Sequence, residues 1–256
     1  MRRGGRAPPA PRRGVGDLCN LTRVRQALTT LVFLLPPSQL KNRLLRLLGH
    51  DVPATATVGI CLVRRVDRFE LGEGSLIHHF NLFRDLRLVK MGIGCRIMLF
   101  NQIVGDSGYE PGAAQTENLR TLRMGDDSHI ISQHYLDCGG GIVLGDQTWV
   151  TGIRSTLLSH AFDPTNGGII LDPVTIGDRA VVATSCTMLP GTVIGEGALV
   201  AAGSTTWTGQ EAKGAHLHGG VPARRLAPID IPAHVYDRAR YQGPRDVVAP
   251  ANPPSE

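Results

Sequence analysis

The chain has 256 residues and a formal net charge of +5, and no apolar run reaches the ~18–20 residues that cross a bilayer. Glycine accounts for 31 residues and aromatic residues for only 5%, which is typical of many tight turns around an aliphatic core. The longest apolar stretch, Ala27–Leu35, is followed by Pro36-Pro37-Ser38 rather than by a small-residue cleavage site. A helix is therefore expected there rather than a secretion signal.

The excess positive charge lies in residues 1–16, which hold five arginines and no acidic residue. The remaining 22 basic residues equal the 22 acidic residues in number. A nucleic-acid-binding domain carries its basic patch on the folded part, so this distribution argues against a nucleic-acid partner, and residues 1–16 are expected to form a disordered basic arm. The five cysteines are widely spaced and form no CxxC pair, which favours a reducing, cytoplasmic compartment over a disulfide framework or a zinc site.

Residues 17–50 are predicted to form an N-terminal helical segment. In its first part, apolar residues recur at steps of three and four; they are Leu21, Val24, Leu28, Leu31 and Leu35. Ser38 is predicted to cap a second helix, Gln39–Leu48, which Gly49 ends.

The second helix has a basic side and an apolar side. The basic side carries Lys41, Arg43 and Arg46, and the apolar side carries Leu40, Leu44, Leu47 and Leu48. Two interpretations stay open: a helix packed on its own domain, or a basic amphipathic helix through which residues 21–48 make peripheral contact with an anionic membrane surface.

From residue 51 the sequence repeats with a period of six. Five consecutive hexads open with an aliphatic residue and carry a small residue at the fifth position. The opening residues are Ile176, Val182, Met188, Ile194 and Val200. This period fits a coil of three short strands in which the aliphatic side chain points inward and the small residue allows the corner. Residues 51–226 are therefore predicted to form a mainly β, left-handed parallel β-helix.

The same opening recurs upstream as Leu71-Gly-Glu, Met91-Gly-Ile, Met124-Gly-Asp and Leu144-Gly-Asp, at steps of 20, 33, 20 and, to Ile176, 32 residues. The two long steps predict inserted loops near residues 105–119 and 161–173. Residues 227–256 are expected to form a short helix at most, Ile231–Tyr241, followed by a disordered end.

Residues 174–226, which close on Gly219-Gly-Val-Pro-Ala-Arg-Arg-Leu226, resemble the left-handed β-helix hexapeptide-repeat acyltransferases. The stretches Ile131–Cys138 and Arg154–His160 are more narrowly similar to the O-acetyltransferases of sugar and cell-surface polysaccharide pathways. The resemblance implies a homotrimer that binds acetyl-CoA in a groove between neighbouring β-helices and transfers its acetyl group to a sugar or glycan acceptor.

The resemblance also implies the catalytic residues. His160, which ends a coil just before the second insert, matches the general base, and imidazole has a pKa suited to that task. Asp137 is expected to orient His160 or to hold an acceptor hydroxyl, and His134 to bind the acceptor. Asp163 is a further candidate for substrate binding. A polar ladder between coils would explain Asp137 or His134 equally well, and an Asx turn would explain Asp163.

The donor site that the resemblance implies lies along coil corners. Backbone groups at Ala183, Thr184, Ala201 and Ala202 match positions that pair with the pantetheine arm. Arg224 matches a basic position near the CoA phosphates, with Arg225 beside it, and arginine suits phosphate through charged, bidentate contacts. Arg224 as a solvated residue of the C-terminal cap is the alternative.

Two other functions remain open. His129 and His134 are five residues apart, the spacing of two ligands in the γ-class carbonic anhydrases, which share this fold; a third ligand would have to come from His78-His79. That interpretation leaves His160 unexplained, and no metal is expected. Alternatively, the β-helix is a non-catalytic assembly module.

Overall fold

In a computed structural model, residues 15–105, 117–232 and 235–236 are described, without the side chains of residues 15–20. Two helices precede the β-structure, α1 (Val15–Phe33) and α2 (Gln39–Leu47). Ser38 caps α2 as predicted, because its side chain accepts a hydrogen bond from the amide of Lys41. The basic arm predicted over residues 1–16 lies almost entirely outside the described residues.

The β-structure consists of short strands that recur in threes. The first half of the described strands comprises β1 (Thr57–Val58), β2 (Leu62–Arg64), β3 (Arg68–Leu71), β4 (Leu76–Ile77), β5 (Leu82–Arg84), β6 (Leu88–Met91), β7 (Arg96–Ile97), β8 (Gln102–Val104), β9 (Thr121–Met124), β10 (His129–Ile130), β11 (Tyr135–Asp137) and β12 (Ile142–Leu144). The second half comprises β13 (Trp149–Val150), β14 (Thr156–Leu158), β15 (His160–Asp163), β16 (Gly168–Leu171), β17 (Val174–Ile176), β18 (Val181–Val182), β19 (Thr187–Met188), β20 (Val193–Ile194), β21 (Leu199–Val200), β22 (Glu211–Ala212), β23 (His216–Gly219) and β24 (Arg224–Pro228).

Three parallel sheets form the faces of a prism. Sheet A has the order β22-β20-β17-β12-β9-β6-β3, sheet B runs from β1 through β4, β7, β10, β13, β18 and β21 to β23, and sheet C has the order β19-β14-β11-β8-β5-β2. Successive strands of the chain visit sheets B, C and A in turn. The predicted left-handed parallel β-helix is confirmed, as is the helical segment before it.

The hexads also place their side chains as predicted. All five opening aliphatic residues from Ile176 to Val200 are fully buried. The small fifth-position residues are buried at the corners; they are Ala180, Cys186, Thr192, Ala198 and Ser204. In sheet A, Leu71, Met91 and Met124 lie in register on successive coils. The core is thus a stack of aliphatic side chains along the prism axis.

The edge between sheets A and B explains the recurring Gly-Asp pairs. The carboxylate of Asp146 accepts a hydrogen bond from the amide of Asp126 on the preceding coil at 2.8 Å, and Asp178 does the same for Asp146 at 2.9 Å. A methyl group at Gly125 would overlap the Asp146 carboxylate. Glycine is therefore required at the position that each aspartate side chain contacts on the preceding coil. The hydrogen bonds of Asp126, Asp146 and Asp178 along this edge are called the aspartate ladder below.

The edge between sheets B and C carries a second ladder, of buried polar side chains. Asn81 Oδ1 accepts from the amide of Asn101 at 2.8 Å, and Asn101 Oδ1 accepts from the amide of His134 at 2.9 Å. His134 Nδ1 in turn accepts from the amide of Ser155 at 3.1 Å. Each side chain satisfies an amide of the next coil, which a buried corner requires.

The helix α1 contacts the first coil through polar side chains. Gln26 Nε2 donates to Asp67 Oδ1 at 3.0 Å, Thr30 Oγ1 donates to the carbonyl of Val63 at 2.6 Å, and Thr29 Oγ1 lies 3.0 Å from His50 Nε2. Phe33 completes this side by packing on Phe69 in the core. The regularly spaced leucines of α1 lie on the opposite, exposed face.

The structure corrects the predicted faces of α2. Lys41, predicted on the basic side, is fully buried, whereas Leu40 and Leu47 of the apolar side are exposed. The physical reason is that Lys41 Nζ donates to the carbonyls of Phe33, Leu35 and Gly59 at 2.7–2.9 Å. Burial lowers the pKa of Lys41 to about 8.

The second insert is a β-hairpin rather than a loop. Strands β15 and β16 pair antiparallel from His160↔Leu171 to Asp163↔Gly168. The first insert lies mostly outside the described residues, as does most of the helix predicted over Ile231–Tyr241. Before it, β24 pairs antiparallel with β23 and closes the prism.

The four cysteines with described side chains, Cys61, Cys95, Cys138 and Cys186, are free and buried. Burial raises the pKa of Cys61 to about 11 and that of Cys95 to about 12, so these thiols are unreactive. Within the described ranges, neither helix combines the length and the apolarity that a membrane span requires.

Candidate active site

His160 lies at the edge between sheets C and A, where the hairpin leaves the prism. Strand β14 ends at Leu158, Ser159 is buried at the corner, and His160 begins β15. Its Nδ1 lies within hydrogen-bond distance of Oδ2 of Asp137. Asp137 ends β11, where it pairs in register with Leu158 of the following coil. The two predicted catalytic residues are thus in direct contact.

Asp137 is held rigidly. Its side chain is 1% exposed, and its Oδ1 accepts a hydrogen bond from the amide of Gly139 at 2.9 Å. One carboxylate oxygen is therefore fixed by the backbone, and the other meets His160. A buried carboxylate is costly unless it is paired and hydrogen-bonded, and both conditions are satisfied here.

The pairing determines which nitrogen of His160 acts as a base. With Nδ1–H donated to Asp137, the lone pair of the neutral imidazole resides on Nε2. Nδ1 is buried, whereas the whole side chain is 27% exposed, so the exposed surface belongs to the rest of the ring. The arrangement orients a base toward solvent, with a carboxylate that stabilises the imidazolium once it forms.

Ser159 and the glycines after Asp137 complete the corner, and the sequence reasoning missed them. Ser159 Oγ donates to the carbonyl of Asp137 at 2.5 Å and accepts from the amide of Gly140 at 2.9 Å. A Cβ at Gly139 would lie 3.2 Å from Asp137 Oδ1 and 3.6 Å from His160 Nδ1. The signal that could have revealed them is the run Gly139-Gly140-Gly141 directly after the aspartate.

His134 is not part of this corner. It is 2% exposed and belongs to the buried ladder at the edge between sheets B and C. Burial lowers its pKa to about 4, so the ring is neutral, and its Nδ1 lone pair is used by Ser155. The structure gives His134 a place in the fold, and its acceptor-binding role stays a prediction.

Asp163 lies at the far end of β15, at the tip of the hairpin. Its Oδ1 accepts from the amide of Thr165 at 2.9 Å and its Oδ2 from Asn166 Nδ2 at 2.7 Å. These hydrogen bonds, first that from the Asn166 side chain, lower the pKa of Asp163. This is the geometry of the Asx turn, and it directs the carboxylate to its own turn rather than to His160.

The predicted donor-site positions lie on the edge between sheets B and C. The amide of Ala183 already donates to Val200 O at 3.0 Å, and that of Ala201 to His218 O at 2.8 Å. These two amides are therefore not available to a pantetheine arm. Their carbonyls also accept hydrogen bonds within the chain, that of Ala183 from Ser155 Oγ at 2.9 Å and that of Ala201 from Ser204 Oγ at 2.6 Å. Ala202 is exposed at the same corner, one coil after Thr184.

Arg224 and Arg225 are both exposed on β24, opposite Gly219 and His218 of β23. They continue sheet B at the C-terminal end of the prism. His160, by contrast, lies at the edge between sheets C and A. Within one chain, the predicted base and the predicted donor site therefore lie on different edges.

The described residues show no metal centre at His160, and a cleft elsewhere on the prism does not include it. Among the described residues, no group of three His, Cys, Asp or Glu side chains could hold a metal ion. A cleft of about 780 Å³ opens where the segment after β24 returns to the prism, between Arg179, Glu196 and Tyr236. Tyr236 OH donates to Arg179 O there at 2.7 Å. This cleft is at the edge between sheets A and B.

No protein-family model matches the sequence, and no curated protein matches it. Among solved structures, a hexapeptide-repeat-containing acetyltransferase from Vibrio cholerae in complex with acetyl coenzyme A has 16% identity and a TM-score of 0.44, covering 85% of this chain and 92% of its own. A maltose O-acetyltransferase from Clostridium difficile has 15% identity and a TM-score of 0.39, covering 84% and 89%. AntD, an N-acyltransferase from Bacillus cereus in complex with dTDP and coenzyme A, has 15% identity and a TM-score of 0.44, covering 68% and 81%. The chain is similar in fold to hexapeptide-repeat acetyltransferases.

Proposed function

We propose that this protein is an acetyl-CoA-dependent O-acetyltransferase that acts on a hydroxyl of a sugar or of a polysaccharide precursor in the cytoplasm. The observation that carries the proposal is the contact between His160 Nδ1 and the buried Asp137 carboxylate at a corner where an insert leaves the prism. The donor and the acceptor class are those that the sequence resemblance implies.

The chemistry uses His160 as a general base. Nε2 takes the proton of the acceptor hydroxyl as that oxygen attacks the thioester carbonyl, and Asp137 stabilises the resulting imidazolium. The new C–O bond forms as the C–S bond breaks, and the imidazolium returns the proton to the leaving sulfur. Asp137 and Gly139 hold the ring in place throughout.

A homotrimer would bring the two halves of the site together. His160 and the corner positions Thr184 and Ala202 lie on different edges of one prism, so a complete site requires the edge of one subunit to face that of its neighbour. Cyclic homo-oligomers with such heterologous contacts form closed rings. Arg224 and Arg225 then supply positive charge for the phosphates of the donor.

The primary test is release of free thiol from acetyl-CoA in the presence of a panel of sugars, nucleotide sugars and glycans. The wild-type protein should turn over at least one of them, and His160→Ala should not. His129→Ala is the matched control, because His129 stacks on Trp149 in sheet B, away from His160. Thiol release that is retained in His160→Ala would contradict the role of His160. No thiol release by the wild-type protein, together with a metal found in the purified protein, would favour the metalloenzyme alternative.

The shared site is tested by mixing two inactive variants. His160→Ala removes the base, and Ala202→Trp blocks the exposed donor corner without touching His160. Co-expressed chains that assemble at random should recover about a quarter of the wild-type sites, because each interface draws one edge from each subunit. A monomer in solution under conditions of activity, or a mixture no more active than its components, would contradict the proposal.

A further inference from the structure

The helix α1 presents an apolar face that the described part of the chain leaves exposed. Leu21 is 67%, Leu31 62% and Val24 57% exposed, and Leu28 lies between them on the same face. Large apolar side chains that share one face of a helix mark an interaction surface. In α2, Leu40 and Leu47 are likewise exposed, at 63% and 83%.

The orientation of α1, with its leucines exposed, is fixed by contacts on its other side. The opposite side of α1 is fastened to the first coil by Gln26, Thr29 and Thr30, and by Arg25 Nη2, which donates to Asp67 O at 3.1 Å. In α2, the buried Lys41 joins the end of α1 to Gly59 of the first coil. The helices are therefore fixed by their polar sides and cannot rotate the leucines inward without breaking these contacts.

The charge around the exposed leucines indicates what kind of surface binds to this face. Asp17 is the one acidic residue in the sequence of residues 15–50. Arg23 on α1 and Arg43 on α2 are exposed, and the carboxylate of Asp67 on the first coil accepts a hydrogen bond from Gln26. The sequence before α1 adds five arginines in residues 1–16. A second copy of the same face would bring like charges together, whereas an anionic surface would be attracted.

We propose that the exposed faces of α1 and α2, comprising Leu21, Val24, Leu28, Leu31, Leu40 and Leu47 with Arg23 and Arg43, dock on an anionic lipid surface. Two contributions favour binding at a membrane surface. Apolar side chains enter the headgroup region, and cationic residues are attracted to anionic lipids. The protein would lie on the membrane, not across it.

The test is co-sedimentation of the full chain with vesicles of phosphatidylcholine containing about 30 mol% phosphatidylserine, and with phosphatidylcholine alone. The wild-type protein should partition at least about tenfold more strongly to the anionic vesicles, and the difference should shrink as salt is raised. The triple variant Leu21→Ser, Leu28→Ser, Leu31→Ser should lose at least about tenfold in partitioning. Arg23→Gln with Arg43→Gln should lose the preference for anionic lipid.

Matched controls lie on the second and third coils. Ile93→Ser changes a similarly exposed apolar residue, and Lys90→Gln with Arg96→Gln removes two exposed charges; neither should alter partitioning. Circular dichroism verifies folding of every variant. Equal binding of wild type and the triple leucine variant overturns the proposal. So does a triple variant that changes the sedimentation-derived mass instead, because the face would then bind a second copy.

Discussion

Two histidines of this molecule sit on neighbouring coil edges and have opposite surroundings. His160 at the edge between sheets C and A has Nδ1 against a buried carboxylate and part of its ring in solvent. His134 at the edge between sheets B and C is buried, and its Nδ1 accepts from a backbone amide. The first arrangement fixes the ring so that Nε2 is the basic nitrogen. The second keeps the ring neutral and uses it as a hydrogen-bond acceptor.

The contrast teaches that the partner of a histidine, rather than its position in the repeat, decides what it does. A carboxylate stabilises the protonated ring, which a base needs. An amide hydrogen occupies the lone pair that protonation would require, and burial opposes the charge. The same scaffold thus holds one histidine suited to chemistry and one suited to stability.

The largest expected effect concerns His160. His160→Ala should reduce kcat by about 10²–10⁴-fold, because a positioned general base is lost, and it should also lower the melting temperature, because the buried Asp137 carboxylate loses its partner. Steady-state thiol release and differential scanning calorimetry measure the two. Turnover above half of the wild-type rate would remove His160 from catalysis.

Asp137→Asn should reduce kcat by about 10²-fold or more. The amide oxygen can still accept from Gly139, so the corner is retained, but the NH2 group faces Nδ1 and forces the proton onto Nε2. ¹⁵N NMR of the imidazole reports the tautomer directly. Reduced activity with an unchanged tautomer would mean that Asp137 acts in some other way, such as on the acceptor.

At the other edge, His134→Ala should lower the free energy of unfolding by about 1–3 kcal/mol, because the amide of Ser155 loses its acceptor in a buried corner. His134→Asn should restore most of that loss, since Asn81 and Asn101 make the same bond on the preceding coils. Urea unfolding and thiol release measure stability and kcat. A large loss of kcat in His134→Asn at unchanged stability would instead support the predicted role of His134 in binding the acceptor.

The last expected effect is a loss of stability in acid. Burial lowers the pKa of His134 to about 4, and that of His50 to about 4 with help from Arg25 and Arg68. The unfolded chain takes up these protons near pH 6.5 and the folded chain does not, so stability falls as pH drops from about 6.5 toward 4. Each group contributes about 2 kcal/mol between pH 7 and pH 5. The decline should be smaller in His134→Asn; an identical decline would contradict the assignment.

The prism could be predicted from the sequence because each coil obeys a local rule. An inward aliphatic residue and a small corner residue recur at fixed spacing, and Ile176 to Val200 follow it without interruption. The orientation of the helices could not be predicted this way. Periodicity identifies the apolar face of α1 but cannot show that Gln26, Thr29 and Thr30 find partners on the first coil while the leucines do not.

For the site, the sequence indicates His160 and Asp137, and the contact between them arises from the register of β11 and β14. Two other assignments depend on neighbours that are distant in sequence. His134 joins a ladder built by Asn81 and Asn101, and the amides of Ala183 and Ala201 are used by the following coil. The inserts obscure the order of coils around His134. At Ala183 and Ala201 the repeat is regular, but resemblance alone does not show which backbone groups are already hydrogen-bonded.

The aspartate ladder has a direction that bears on how the chain folds during synthesis. Each carboxylate reaches back to an amide of the coil before it, so a coil leaving the ribosome remains incomplete until the next Gly-Asp pair has been translated. Over the three coil steps from Ile93 to Asp178, each added coil therefore satisfies a backbone amide of its predecessor. Premature termination within this ladder would leave amides without their carboxylate partners only in the last coil, because the earlier coils would already have theirs.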